Sequence, residues 1–234
     1  MTGTFPITNT PLIIPGVRAW YDASTTSAGA VSSWTDKSGN GNHATQGTGA
    51  KQPVSTANQL AGKNALIFTG ASSQTLILPS RLYTIPNSAN TIFCVSKRNT
   101  ETGAAARIVA IDQSTNFKFV FGYSSVSGAA VFTNSNGGTT ADVTGLTNTN
   151  YQILAGSYNG TTGQYMQANN GTPTTNASGV AVATCDNAYI GSAGDASRYL
   201  TGGIAEIIIY NRALSAAEII QINRYLANKW AMPI

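Results

Sequence analysis

The sequence predicts an all-β sandwich closed by one C-terminal helix, on three observations. Short runs rich in β-branched and aromatic residues recur about every ten residues, separated by turn formers. Charged residues are only 9% of the 234, while hydrophobic residues reach 42%. Gly, Ser, Thr, Asn and Ala fill the difference, a composition poor in helix formers and too apolar for disorder. Third, residues 203–230, GIAEIIIYNRALSAAEIIQINRYLANKW, read as a core strand passing into an amphipathic helix.

In that closing block, Ile204–Asn211 is the strand. The consecutive Ile207, Ile208 and Ile209 suit one buried on both faces. Ser215 and Glu218 stand at capping-box spacing, so each can satisfy the other's free N–H. Ile219, Ile222, Leu226 and Trp230 then recur at helical spacing, Lys229 suits the negative helix end, and Pro233 stops the helix.

From the other end, residues 1–15 read as an extended arm, because Pro6, Pro11 and Pro15 forbid a helix. Its apolar side chains, Phe5, Ile7, Leu12, Ile13 and Ile14, need cover, either from the arm's own sandwich or from a partner chain. Residues 16–234 form one domain. Val17–Asp22 and Val31–Trp34 are strands. TDKSGNGNHAT, 35–45, is a dense turn; it has the look of an oxygen-rich calcium loop but offers one carboxylate, Asp36, so a structural turn is expected.

Strands follow at 64–69, 75–78, 91–97, 107–111, 117–123 and 129–133, with Phe117, Phe119 and Phe121 alternating onto a core face. Residues 134–150 are a turn cluster with at most one strand. Tyr151–Tyr158 and Gly163–Ala168 form a hairpin about Asn159-Gly160, and Asn187–Gly191 is a short strand.

Several functions are disfavoured. The net charge of +4 comes from scattered Lys and Arg, not from a clustered, aromatic-interleaved nucleic-acid footprint. No apolar run is long enough to span a bilayer. Residues 1–16 lack the charged and apolar regions of a secretory signal, so the expectation is retention, a processed start or signal-free exit. Cys94 and Cys185 leave a bridge open, with two free thiols favoured. The single histidine, His43, rules out a multi-histidine metal site, and no cofactor motif is present.

Three anchors stand in order: WYDAS at 20–24, W-x-D-x-SGNGNHAT at 34–45, and IAEIIIYNRALS followed by YLANKW at the end. With them the chain resembles the concanavalin A-like lectin/glucanase superfamily in its laminin-G-like branch. The resemblance implies a jelly roll of two antiparallel sheets. It implies no single function, since such folds serve lectins, glycosidases and structural modules.

Glycosidases of this fold place carboxylates at E-x-D-x-E spacing on one strand, and none of the nine acids here stands so. Glu206, between apolar residues of the closing strand, is expected to be buried against a backbone amide or an Arg, with a catalytic acid as the alternative. The chain is therefore expected not to be an enzyme and to need no cofactor. The resemblance extends to modules of phage virions, which implies a decoration or tail-associated protein at the virion surface. Its arm (Phe5, Ile7, Leu12, Ile13) would contact other virion proteins or a second copy. Weak binding of cell-surface glycans would use exposed Tyr83, Tyr123, Asn134, Asn136 and Arg198. A stand-alone lectin-like module is the alternative, and a polysaccharide depolymerase ranks below both.

Overall fold

The computed structural model describes residues 10–100, 104–113, 116–134, 140–147, 149–182, 185–194 and 197–234. Among these, the strands in chain order are β1 (Val17–Asp22), β2 (Gly29–Ala30), β3 (Ser33–Trp34), β4 (Ala44–Thr45), β5 (Val54–Leu60), β6 (Lys63–Phe68), β7 (Leu76–Ile77), β8 (Asn90–Arg98), β9 (Ala106–Gln113), β10 (Asn116–Tyr123), β11 (Ala130–Asn134), β12 (Ala141–Val143), β13 (Gln152–Tyr158), β14 (Gln164–Ala168), β15 (Thr174–Asn176), β16 (Asn187–Ile190) and β17 (Gly202–Tyr210). The helix α1 spans Ala216–Trp230.

One antiparallel sheet runs β15-β14-β13-β8-β17-β6-β5-β2, with β1 also paired to β17; the other runs β12-β11-β10-β9-β16-β7-β4-β3. This is the two-sheet sandwich with one C-terminal helix that the sequence predicts.

The alternation of β17 explains its unbroken apolar run. Ile207 and Ile209 enter the core between the sheets, with Trp34, Phe68, Phe119 and Phe132. Ile208 and Tyr210 point the other way, under Ile219, Ile222, Leu226 and Trp230 of α1. The first sheet is thus covered on both faces, which is why its central strands carry no polar side. The capping box at Ser215 and Glu218 forms as its spacing dictates, and Arg212 grips the same carboxylate at 2.6 and 3.0 Å.

The hairpin of β13 and β14 is present, with Tyr158 opposite Gln164, and both cysteines are free thiols. Phe119 and Phe121 are core residues; the side chain of Phe117 lies outside the described residues.

Three expectations change. Val31–Trp34 is not one strand: Gly29–Ala30 joins one sheet and Ser33–Trp34 the other. β5 is a strand where none is expected; its VSTANQL lacks apolar alternation, and it pairs β6 through a register shift. The described part of the arm, from Thr10, is not extended throughout. Pro11–Ile13 make a 3-10 turn in which Pro11 is buried, and Ile14 is buried after it. Tyr210 donates to the Pro11 carbonyl at 3.0 Å and Arg212 Nε to that of Pro15 at 2.9 Å. Leu12 and Ile13 stay 48% and 50% exposed, while Phe5 and Ile7 lie outside the described residues.

Candidate functional site

The acid that the sequence singles out, Glu206, is fully buried. Strand pairing sets it opposite Asp22 of β1. Its partners are neither a backbone amide nor an Arg. Trp20 Nε1 and the Tyr225 hydroxyl donate to Oε1 at 2.6 and 2.8 Å; Lys229 Nζ and Trp230 Nε1 donate to Oε2 at 2.7 and 2.6 Å. Lys229 Nζ also reaches Asp22 Oδ2 at 2.9 Å, and Lys37 meets the same oxygen at 2.8 Å.

Burial raises the Glu206 carboxyl, with Lys229 opposing. Burial also pushes Asp22 up, but Lys229 and Lys37 outweigh it and bring that carboxyl down to about 2. Two carboxylates do meet in space, then, although no motif announces them. Each oxygen of Glu206 is held by two donors, and the cluster ties β1, β17 and α1 together.

The carboxylate of the Asp36 turn is likewise held by internal donors. Its carboxylate accepts from the backbone N–H groups of Trp20, Ser38 and Asn42 and from the Ser38 hydroxyl, at 2.8 to 2.9 Å. Among the described residues no group of three or more His, Cys, Asp or Glu could hold a metal ion.

The ligand residues expected from the sequence do not form one site. Tyr123 is buried, not exposed. It continues the inward face of Phe119 and Phe121, and its hydroxyl bonds Ser96 Oγ at 2.9 Å. Asn134 is buried too, because its side chain ties three segments together. It donates to the carbonyls of Pro86 and Val180 at 3.0 and 2.9 Å and accepts from Asn90 at 2.9 Å. Asn136 lies outside the described residues. Arg198 is exposed on a left-handed backbone, φ 55°. Tyr83 is half-buried beside Tyr189 and Asp186, and burial raises its phenol.

That neighbour, Tyr189, belongs to the open part of the second sheet. Register aligns Thr45, Ile77, Tyr189, Ala110 and Val120 across β4, β7, β16, β9 and β10 on the face turned away from the core. Ala110 and Val120 are buried, whereas Ile77 and Tyr189 remain accessible. They line a cup of about 280 Å³ with Tyr199, Lys51 and Thr48.

The polar floor of the cup is internally bonded. Gln46 donates to the Thr75 carbonyl at 3.0 Å, and the Thr75 and Ser192 hydroxyls bond at 2.8 Å. The rim keeps two phenol rings, an ammonium and a hydroxyl for a ligand, the mixture of aromatic face and polar groups that receives a sugar ring. Sequence reasoning missed Tyr189 and Tyr199. For Tyr189 the signal was present: in NAYIG it alternates with Ala188 and Ile190, both core residues.

The laminin-G profile of the concanavalin A-like lectin/glucanases superfamily matches residues 68–220. No curated protein sequence matches the chain. Among solved structures, Trypanosoma rangeli sialidase in complex with sialic acid superimposes with a TM-score of 0.66 at 12% identity, over 94% of this chain and 34% of that one. The same sialidase in complex with the inhibitor DANA gives 0.61 at 14% identity, over 88% and 32%. The binding domain of Botulinum Neurotoxin DC in complex with SialylT gives 0.62 at 12% identity, over 91% and 52%. This chain therefore spans about a third of the sialidases' length, and at such identities the likeness is one of fold. With the family profile covering more than half of its residues and the sandwich matching its fold, the chain belongs to the concanavalin A-like lectin/glucanase superfamily.

Proposed function

We propose that the chain is a non-catalytic glycan-binding module displayed on a virion surface. The observation that carries the glycan reading is the cup on the outer face of the second sheet. There Tyr189 and Tyr199 offer ring faces and Lys51 offers a cation to a sugar carboxylate. Structures of the same fold include a sialidase in complex with sialic acid and a toxin binding domain in complex with SialylT, which supports an acidic glycan as the ligand. A glycan array run at low and high calcium tests this. Tyr189→Ala and Tyr199→Ala are expected to weaken binding of each hit about tenfold, the effect of losing one stacked ring. A blank array overturns the proposal.

The non-catalytic half rests on the Asp22–Glu206 pair. Hydrolysis needs one carboxyl free to give a proton and another free to attack or activate water, and both of these are held by Lys229. Release of reducing ends from a capsular polysaccharide, lost in Glu206→Gln, would reverse this conclusion.

The virion setting rests on the arm. Leu12 and Ile13 are adjacent and half exposed beside anchored Pro11 and Ile14, which suits an apolar contact with another particle protein. Deleting residues 1–9 and replacing Leu12 and Ile13 by Ser is expected to leave a folded domain that no longer joins particles. Unchanged incorporation removes the arm from the proposal.

A further inference from the structure

The nitrogen of Lys229 stands between two carboxyl groups, 2.9 Å from Asp22 Oδ2 and 2.7 Å from Glu206 Oε2. All three side chains are shut away from solvent: Glu206 is 0% exposed, Asp22 5% and Lys229 16%. Trp230, Tyr225 and Trp20 wall the amine in, with ring centroids 5.2, 5.5 and 5.8 Å from Nζ. An amine and a carboxyl held in contact in a dry, aromatic-walled site are the reactants of an amide bond. Groups fixed in this way gain effective molarities of about 10⁵ M or more, and condensation removes two buried charges that are costly to keep.

The remaining neighbours suit that step. Ser24 N–H donates to Asp22 Oδ1 at 2.9 Å, and Lys37 Nζ donates to Oδ2 at 2.8 Å. The first stabilises negative charge developing on Oδ1, and the second favours departure of Oδ2. An ordinary buried ion pair has no third group to take a proton from the ammonium, whereas here Glu206 touches it. Burial raises the Glu206 carboxyl, which suits it to hold a proton in transit. Donors from Trp20, Tyr225 and Trp230 keep it in place.

We propose that Lys229 and Asp22 condense in the folded chain to a covalent amide cross-link between α1 and β1, with Glu206 relaying the protons. The Lys229 ammonium gives one proton to Glu206. The free amine attacks Asp22 Cγ, the C–N bond forms, and Oδ1 carries the negative charge. Collapse breaks the Cγ–Oδ2 bond. Oδ2 takes the proton held by Glu206 and a second from the attacking nitrogen, and leaves as water. An ammonium and a carboxylate thus become one neutral amide and one water, and Glu206 is restored. This is a single event within the chain, not turnover of a substrate. The ion pairs and their titration belong to the chain before it condenses.

The test is mass spectrometry of the full chain, intact and after trypsin, freshly purified and after days of incubation near neutral pH. The expected result is a population lighter than the sequence by one water, growing with time. Trypsin should release from it a branched peptide of residues 19–37 joined to 225–234, because acylated Lys229 is no longer cut. Chain kept unfolded in urea is expected to stay at full mass, since the bond needs the folded site. So are Lys229→Arg, which keeps the cation without the reactive amine, and Glu206→Gln, which removes the relay. Full mass in the folded wild type after incubation overturns the proposal. So does loss of water without the branched peptide, which marks a succinimide at an aspartate, or a branch onto residues 199–212, which places the bond on Glu206. Condensation of Glu206→Gln at the wild-type rate overturns the relay.

Discussion

Asp22 and Glu206 are cross-strand partners that share one cation, Lys229, at 2.9 and 2.7 Å. The lysine comes from the last turn of α1, so a single side chain neutralises two strands and fastens the helix to both. Removing it leaves two buried carboxylates facing each other, and breaking a buried pair is far more costly than never having made one. Lys229→Met is expected to destabilise the domain by about 3 kcal/mol or more, read as a fall in the urea midpoint. A change within about 0.5 kcal/mol, typical of surface sites, would show the cluster to be dispensable.

The same cluster sets an acid limit. The Asp22 carboxyl lies at about 2, below its ordinary 3.8. Between those values the unfolded chain binds the proton and the folded chain does not, so stability rises with pH through that window. The contribution is complete above about pH 4 and is lost as pH falls towards 2, amounting to about 2 kcal/mol. Glu206 has the opposite sign: its raised carboxyl makes folding less favourable as pH climbs from the ordinary value towards the raised one. Urea midpoints from pH 2 to 7 should show the acid rise in wild type and its loss in Asp22→Asn; an unchanged rise in that variant would assign it elsewhere.

The helix start is predicted to be worth less. Ser215→Ala removes the side chain that caps Glu218 N, at an expected cost of about 1 kcal/mol. Because Arg212 still grips Glu218, circular dichroism should show the helix retained, with only the unfolding midpoint lowered.

Gly191 follows β16 with φ +87°, and an added Cβ would stand 2.5 Å from Phe68 Cδ1. Phe68 is a core residue and cannot swing to solvent. Gly191→Ala therefore meets both an unfavourable backbone and a filled space. Thermal unfolding should register a loss of about 2–4 kcal/mol; a variant of wild-type stability would mean that the turn can take another conformation.

The parts of the fold legible in the sequence are those with local causes. The β17–α1 block could be read because alternation, a capping box and helical spacing each act within a few residues. β5 could not, because VSTANQL owes its strand state to the neighbouring β6 and not to its own pattern. Tyr123 could have been placed by extending the alternation of Phe119 and Phe121 to the end of the same strand, which turns it inward. Asn134 gave no warning: an Asn before Ser-Asn-Gly-Gly looks like turn chemistry, and only tertiary structure brings Pro86, Val180 and Asn90 to it. The partners of Glu206 are hidden for the same reason, since Trp20 lies far from Lys229 and Trp230 in sequence. The cup is assembled from β7, β16 and residues near 46–51 and 192–199, so no window of sequence contains it.

β17 follows every other described strand in the chain, yet it lies inside its sheet, with β8 along one edge and β6 and β1 sharing the other. A chain emerging from the ribosome must carry its first strand, and both halves of its first sheet, without the piece that joins them until residues 202–210 appear. Completion of that sheet therefore waits for residues 202–210. A product truncated before Gly202 would be an open pair of half-sheets with apolar edges, prone to associate with its like, and a proofreading protease could tell finished from unfinished chains by that alone.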